Sequence, residues 1–174
     1  MPSEIRYCEQ LEYRVEEKPD VWVTTGVFPA MLARIVSPTG ELAGFHRTYL
    51  TTEGHKAPVQ EPRKMLSAFQ GATKGAAIRL YPAGTVLGVA EGIETALACH
   101  VATDLPVWST ISAGGLASLV VPDAVQELVI FADNDKSETG EKAARTLARR
   151  MLAEDCKVKI IKPQTVETDW ADYA

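Results

Sequence analysis

Three carboxylates carry the chemistry this sequence is equipped to do. Glu91 ends the apolar run Val86–Ala90, and Asp133 and Asp135 follow the apolar run Leu128–Ala132. A buried strand ending in an acid, twice over, is how a parallel sheet presents carboxylates at its carboxyl edge, where such sheets bind ligands. Asp133 and Asp135 stand two residues apart, which in an extended segment puts both side chains on one side. Two close carboxylates repel and raise each other's pKa unless a cation neutralises them. With Glu91, 42 positions upstream, they offer hard oxygen ligands to Mg²⁺ or Mn²⁺, and through the ion to phosphates. The plainer alternative for Asp133-Asn134-Asp135 is a turn capping the next helix. Glu94 reads equally well as a helix-start acid that favours the dipole. Asp169 and Asp172, in Thr168-Asp-Trp-Ala-Asp-Tyr173, either approach the same edge and assist a second metal or form a polar tail.

Positive charge lies elsewhere. Residues 34–79 hold seven Lys or Arg against three Asp or Glu, and the remainder holds eleven against twenty. The net charge of −5 argues against a basic coat. The segregation suits a cationic groove for a polyanion beside an acidic metal site; a chance imbalance on a solvated face is the bland reading. Arg47 near the end of a strand-like run, Lys56 on a loop, and Arg63 and Lys64 after it are candidates to hold nucleotide phosphates or a template backbone. Ser112 to Gly115 offers backbone N–H groups at a helix start to a phosphate, with Ser112 and Gly114 as candidate contacts. A plain loop is the simpler reading there.

The elements that must position these residues are of two kinds. Positions 5–15 alternate, with Ile5, Tyr7, Leu11, Tyr13 and Val15 on one parity, which predicts a strand with one buried face. Residues 30–36 and 42–50 read as strands joined at Ser37-Pro-Thr-Gly40, a turn by its Pro and Gly. Short strands are predicted at 64–66 and 76–81, with a loop between 51 and 62. Pro82-Ala-Gly84 divides a small β-rich lobe, 1–82, from a second unit, 83–174. In the second unit strand and helix alternate: strands at 86–90, 107–110, 128–132 and 158–161, helices at 93–102, 116–119 and 141–154. Alternation of this kind predicts an α/β fold with a four-stranded, mostly parallel sheet flanked by helices.

The chain has 174 residues, 46% hydrophobic and 24% charged, a globular composition for one domain or two small lobes sharing a core. No apolar run approaches the roughly 20 residues needed to span a bilayer, and no basic-then-apolar leader opens it. Cys8, Cys99 and Cys156 are odd in number and scattered, which fits neither a zinc pattern nor a disulfide scaffold. These features predict a cytoplasmic protein with buried, inert thiols and no membrane partner.

Glu91-Gly-Ile-Glu-Thr-Ala-Leu97 and Asp133-Asn-Asp135, with Gly140-Glu-Lys-Ala-Ala144 downstream, resemble the Toprim superfamily of primases, topoisomerases, nucleases and recombination proteins. The resemblance covers roughly 85–163 and implies a Toprim-like Rossmannoid sheet. It carries the family's Glu onto Glu91, its Asp-x-Asp onto Asp133 and Asp135, and its phosphate-side loop onto Ser112–Gly115. Upstream, Thr39-Gly-Glu-Leu-Ala-Gly-Phe-His-Arg47 and Arg63-Lys-Met-Leu66 are similar to the amino-terminal lobe of a DnaG-type primase core, which places Arg47 and Lys64 beside the site. The whole pattern is similar to Toprim primases or primase-helicases of phages, plasmids and mobile elements, whose Asp-Trp-x-Asp tail matches Asp169–Asp172. It implies ribonucleotidyl transfer on single-stranded DNA, with nucleoside triphosphates as substrates and Mg²⁺ or Mn²⁺ as cofactor. Template selection and unwinding then belong to a zinc ribbon or helicase elsewhere. A Toprim nuclease and a non-catalytic nucleic-acid-binding module are the alternatives. A haloacid-dehalogenase-type phosphatase ranks below them, since only about forty residues follow the Asp-x-Asp.

Overall fold

Alternating residues build the first sheet, which is antiparallel. Its strands are β1 (Ile5–Lys18), β2 (Val21–Val36), β3 (Leu42–Tyr49) and β4 (Arg63–Ser67), in the order β1-β2-β3-β4. The computed structural model describes residues 2–133, 139–163 and 170. Gly44 sets the spacing of β3 and β4: a Cβ built there would lie 2.2 Å from the Leu66 carbonyl oxygen. Only a residue without a side chain permits that approach.

Three sequence expectations change here. The strand predicted at 30–36 is the second half of β2, which runs for 16 residues. The one-sided stripe of β1 does not hold, because a bulge between Cys8 and Leu11 inserts one residue against β2 and so exchanges the faces. Ile5 and Tyr13 are consequently buried on opposite faces, while Tyr7, on the same face as Ile5, is 61% exposed. Residues 76–81 form no strand of their own. They make single bridges, Val36 to Ala77 and Ile78 to Ser109, that stitch the first sheet to the second.

The second sheet follows the strand–helix alternation: β5 (Val86–Ala90), α1 (Ile93–Thr103), β6 (Val107–Ser109), α2 (Ala113–Ser118), β7 (Glu127–Phe131), α3 (Thr139–Ala153) and β8 (Lys157–Ile161). The strand order is β6-β5-β7-β8, parallel throughout. β5, β6 and β7 are apolar and largely buried on both faces because both are covered, whereas the edge strand β8 is mostly exposed. Leu87, Val89, Leu128 and Ile130 point to one side, where Leu116 of α2 and Ala144, Leu147 and Met151 of α3 meet them. Ala90, Val129 and Phe131 point to the other, against Ile93, Ala96 and Cys99 of α1 and against Ile5, Ala33, Ile35 and Ala43 of the first sheet. The first sheet therefore packs beside α1 on one face of the second. Among the described residues no helix is long and apolar enough to cross a membrane. Cys99 and Cys156 are buried and Cys8 is partly so; all three are thiols.

Candidate active site

β5 carries Glu91 to the carboxyl edge, and Gly92 caps α1 in an extended conformation. The end of β6 fixes this corner. The Glu91 carbonyl accepts the Ile111 N–H at 2.8 Å and the Ser109 hydroxyl at 2.9 Å, and the Ala90 carbonyl accepts the Thr110 N–H at 2.9 Å. Ile111 holds its place at φ 73°, a left-handed conformation that costs a side-chain-bearing residue roughly 1–2 kcal/mol. Strain of this kind persists where the surroundings over-determine the backbone.

β7 carries Asp133 to the same edge. Glu91 and Asp133 line one cleft of about 770 Å³. The first turn of α3 closes on it, since a Cβ built on Gly140 would lie 3.7 Å from Glu91 Oε2. Burial pushes the Cys99 thiol of α1 up to about 12, and the charge of Asp133 adds to the effect; the thiol stays protonated and inert. Trp170 returns to the sheet and meets Phe131 edge-on, with ring centroids 5.4 Å apart. Asp135, Asp169 and Asp172 lie outside the described residues. Among the described residues no group of three or more His, Cys, Asp or Glu side chains forms a metal cage.

The basic lining comes from the first sheet and its loop. Lys56, His55 and Arg63 line the same cleft as Glu91 and Asp133, with Glu94 among them. Arg63 reaches across from β4 to Glu94 of α1 at 2.6 Å. Burial pushes the Glu94 carboxyl up, but its own backbone amide, the Arg63 guanidinium and Lys56 outweigh burial and hold it below the ordinary carboxylate value. A second cavity of about 430 Å³ adjoins the first and shares Arg63 and Ile111 with it. Ser112 and Gly114 are in its wall, with His46 and Lys74 opposite. The Ser112 hydroxyl accepts the Gly115 N–H at 3.1 Å. α2 has six residues, too few for a strong terminal dipole.

The register turns two of the expected basic residues away from the cleft. Arg47 pairs with Lys64 across β3 and β4, so the two share a face. That face is the one bearing Tyr13 and Tyr49. Lys64 borders the smaller cavity, but its ammonium donates to the Arg14 carbonyl at 2.6 Å and lies 4.2 Å from the Tyr13 ring centroid. Arg47 acts on the Tyr49 phenol, whose pKa burial raises and Arg47 lowers. The inner face instead carries His46 and Thr48, which pair with Ala33 and Met31 of β2, and Arg63, which pairs with Thr48. His46, Thr48 and Lys74 were not singled out in the sequence; strict alternation along residues 46–48 was the available signal.

The family model described as Toprim domain matches residues 86–174. A second model, "Domain of unknown function (DUF7146)", matches residues 1–80. No curated protein matches the sequence significantly. Among solved structures, a DnaG primase catalytic domain bound to ssDNA is similar at TM-score 0.62 and 13% identity, over 92% of this chain and 52% of that one. The zinc-binding and RNA polymerase domains of the Aquifex aeolicus primase give 0.61 and 13%, over 92% and 40%. A DNA primase domain from Pseudomonas aeruginosa gives 0.58 and 14%, over 94% and 50%. The likeness is one of fold, and this chain spans about half the length of those structures or less.

Proposed function

This chain belongs to the Toprim domain family, and from that premise we propose that it is the catalytic core of a DNA primase, joining ribonucleotides on a single-stranded DNA template. One observation carries the reading. Glu91 and Asp133, far apart in sequence, line a single cleft together with Lys56 and Arg63 from the first lobe. Carboxylates and cations in one cleft are what a divalent ion and a polyphosphate together require. The fold shared with primase domains along nearly the whole chain supports it.

Glu91 and Asp133 fit Mg²⁺ or Mn²⁺ by the chemistry of their oxygens, and Asp135 and Asp169 complete the ligand set we propose. The return of Trp170 onto Phe131 supports the choice of Asp169. When bound, the divalent ion lowers the pKa of the attacking 3′-hydroxyl and neutralises the triphosphate and the leaving pyrophosphate. Lys56 and Arg63 hold phosphates from the other side. Ser109 and Ile111 keep the Glu91 backbone in place. A helicase or zinc-ribbon partner for template choice is part of the same proposal.

The test is template-dependent incorporation of labelled ribonucleotides on single-stranded DNA with Mg²⁺ and with Mn²⁺. Glu91→Gln and Asp133→Asn should each lower incorporation by about a hundredfold or more while the circular dichroism spectrum stays unchanged. Incorporation unaffected by both variants rejects the reading. Strand cleavage of labelled DNA without incorporation replaces it with a nuclease. DNA binding without calorimetric metal binding replaces it with an accessory module.

A further inference from the structure

We propose that His46, with Thr48 beside it on β3, recognises the ribose of the incoming nucleotide by hydrogen bonds to its hydroxyls, and so separates ribonucleotides from deoxyribonucleotides. The assignment rests on the nucleotidyl-transfer reading above and names the substrate within it.

Both residues face inward. His46 lines the smaller cavity and Thr48 the larger cleft, and these meet at Arg63 and Ile111. His46 is 9% exposed and Thr48 3%. The Nδ1 atom of His46 and the hydroxyl of Thr48 nevertheless have no hydrogen-bond partner. Buried polar atoms are nearly always paired, and each exception calls for a reason. Two exceptions on one strand face, on residues that border open cavities although the two atoms are themselves buried, point to a partner that arrives from the cavities and is met by a turn of each side chain.

The chemistry of that partner follows from charge. Burial, and then the Arg63 guanidinium, push the imidazole below its ordinary value, with Glu94 opposing. His46 is therefore neutral near pH 7 and, like the threonine hydroxyl, both donates and accepts. An anionic phosphate finds better partners in Arg63 and Lys56. What suits a neutral donor–acceptor pair is a group that is itself neutral, donating and accepting: a sugar hydroxyl. Residues two apart in a strand are separated by roughly 6.6 Å. Neighbouring hydroxyls of one ribose, each making a bond of ~2.8 Å, bridge that span. A half-turn of the imidazole exchanges Nδ1 with a ring carbon at constant volume, and rotation about χ1 turns the threonine hydroxyl outward.

Equilibrium dialysis of labelled GTP and dGTP against the full chain with Mg²⁺, without template, tests this. The wild type should bind GTP about tenfold tighter than dGTP. His46→Phe should abolish that preference by weakening GTP alone, and His46→Gln, which keeps a donor and an acceptor, should restore much of it. Thr48→Val, nearly isosteric, carries the same test if His46→Phe fails to fold. A preference unchanged in His46→Phe, or equal weakening of both ligands, overturns the proposal. So does a variant that loses discrimination between GTP and ATP while keeping that between GTP and dGTP, which would put the base against His46. A wild type that binds both without preference overturns the sugar assignment alone. One that binds neither overturns the primase reading as well.

Discussion

Arg63 stands between Glu94 and His46 and acts on both charges. The folded chain holds the Glu94 carboxyl below its ordinary 4.5, so the stability this contributes is present above that value and lost as pH falls through the depressed folded one. The His46 imidazole is also depressed, from 6.5. Below about pH 6.5 the unfolded chain takes up a proton that the folded chain refuses, and stability falls from there. His46→Gln should remove that upper part of the acid slope and leave the lower part, which urea titrations at a series of pH values would resolve; an unchanged slope near pH 6 would contradict the assignment. Arg63→Ala should cost no more than about 1 kcal/mol at pH 7, because both partners of its ion pair are nearly half exposed. Its effect should appear instead in nucleotide affinity. At this scale the sequence pointed to Glu91, Asp133, Lys56 and Arg63, which line one cleft, and also to Arg47 and Lys64, which turn toward the reverse face. Glu91 and Asp133 each end an apolar run, and the strand end fixes where they go. Arg47 and His46 are neighbours in one strand, where a shift of one position decides between the cleft and the reverse face. Resemblance favoured the arginine; the pleat puts the histidine on the face that borders the smaller cavity.

Among the elements, the β3–β4 pair does most to shape the site, because it brings Arg63 and Thr48 into the cleft that Glu91 and Asp133 line and His46 into the adjoining cavity. It depends on Gly44, whose Cα passes so close to Leu66 that a Cβ would fall 2.2 Å from the carbonyl oxygen. Gly44→Ala should destabilise the chain by about 2 kcal/mol or more, with displacement of β4. Gly40 is the natural control. It has φ 89° with nothing within 4 Å of a built Cβ, so Gly40→Ala should cost only the backbone term of about 1 kcal/mol. Equal losses in thermal denaturation would show that close approach is not what Gly44 provides. The second sheet was legible nearly to the residue, since its apolar runs and its amphipathic helix at Thr139–Ala153 are unambiguous patterns. The first sheet was not. The first half of β2, which contains Gly26 and Pro29, was not among the predicted strands. The extra residue between Cys8 and Leu11 was invisible without β2 to count against. Ala76–Tyr81 has the composition of a strand but only single bridges to make.

For the whole molecule, we propose that the two lobes, 1–82 and 83–174, fold as one unit although family models divide the chain near the same place. The reason is the core they share. Ile35 of β2 is fully buried in the cluster that also holds Ala90, Ile93, Cys99 and Phe131. Separating the lobes would expose that surface at a cost of about 25 cal/mol for each Å² of apolar area. The cleft lies along the same junction, so under the proposed function its geometry and cooperative folding have a common origin. All three helices of the described residues belong to the second lobe, so loss of ellipticity at 222 nm reports mainly on that lobe. Ile35→Ala, a substitution in the first lobe, removes a side chain from a site with little room to relax and should cost about 2–5 kcal/mol. If the core is common, the helical signal should melt at correspondingly lower urea in this variant, in one transition coincident with tryptophan fluorescence. A helical transition left at its wild-type midpoint would mean that the second lobe stands without the first. The basic wall would then be free to move relative to the acids, and the cleft between them would not be the fixed site that nucleotide transfer needs.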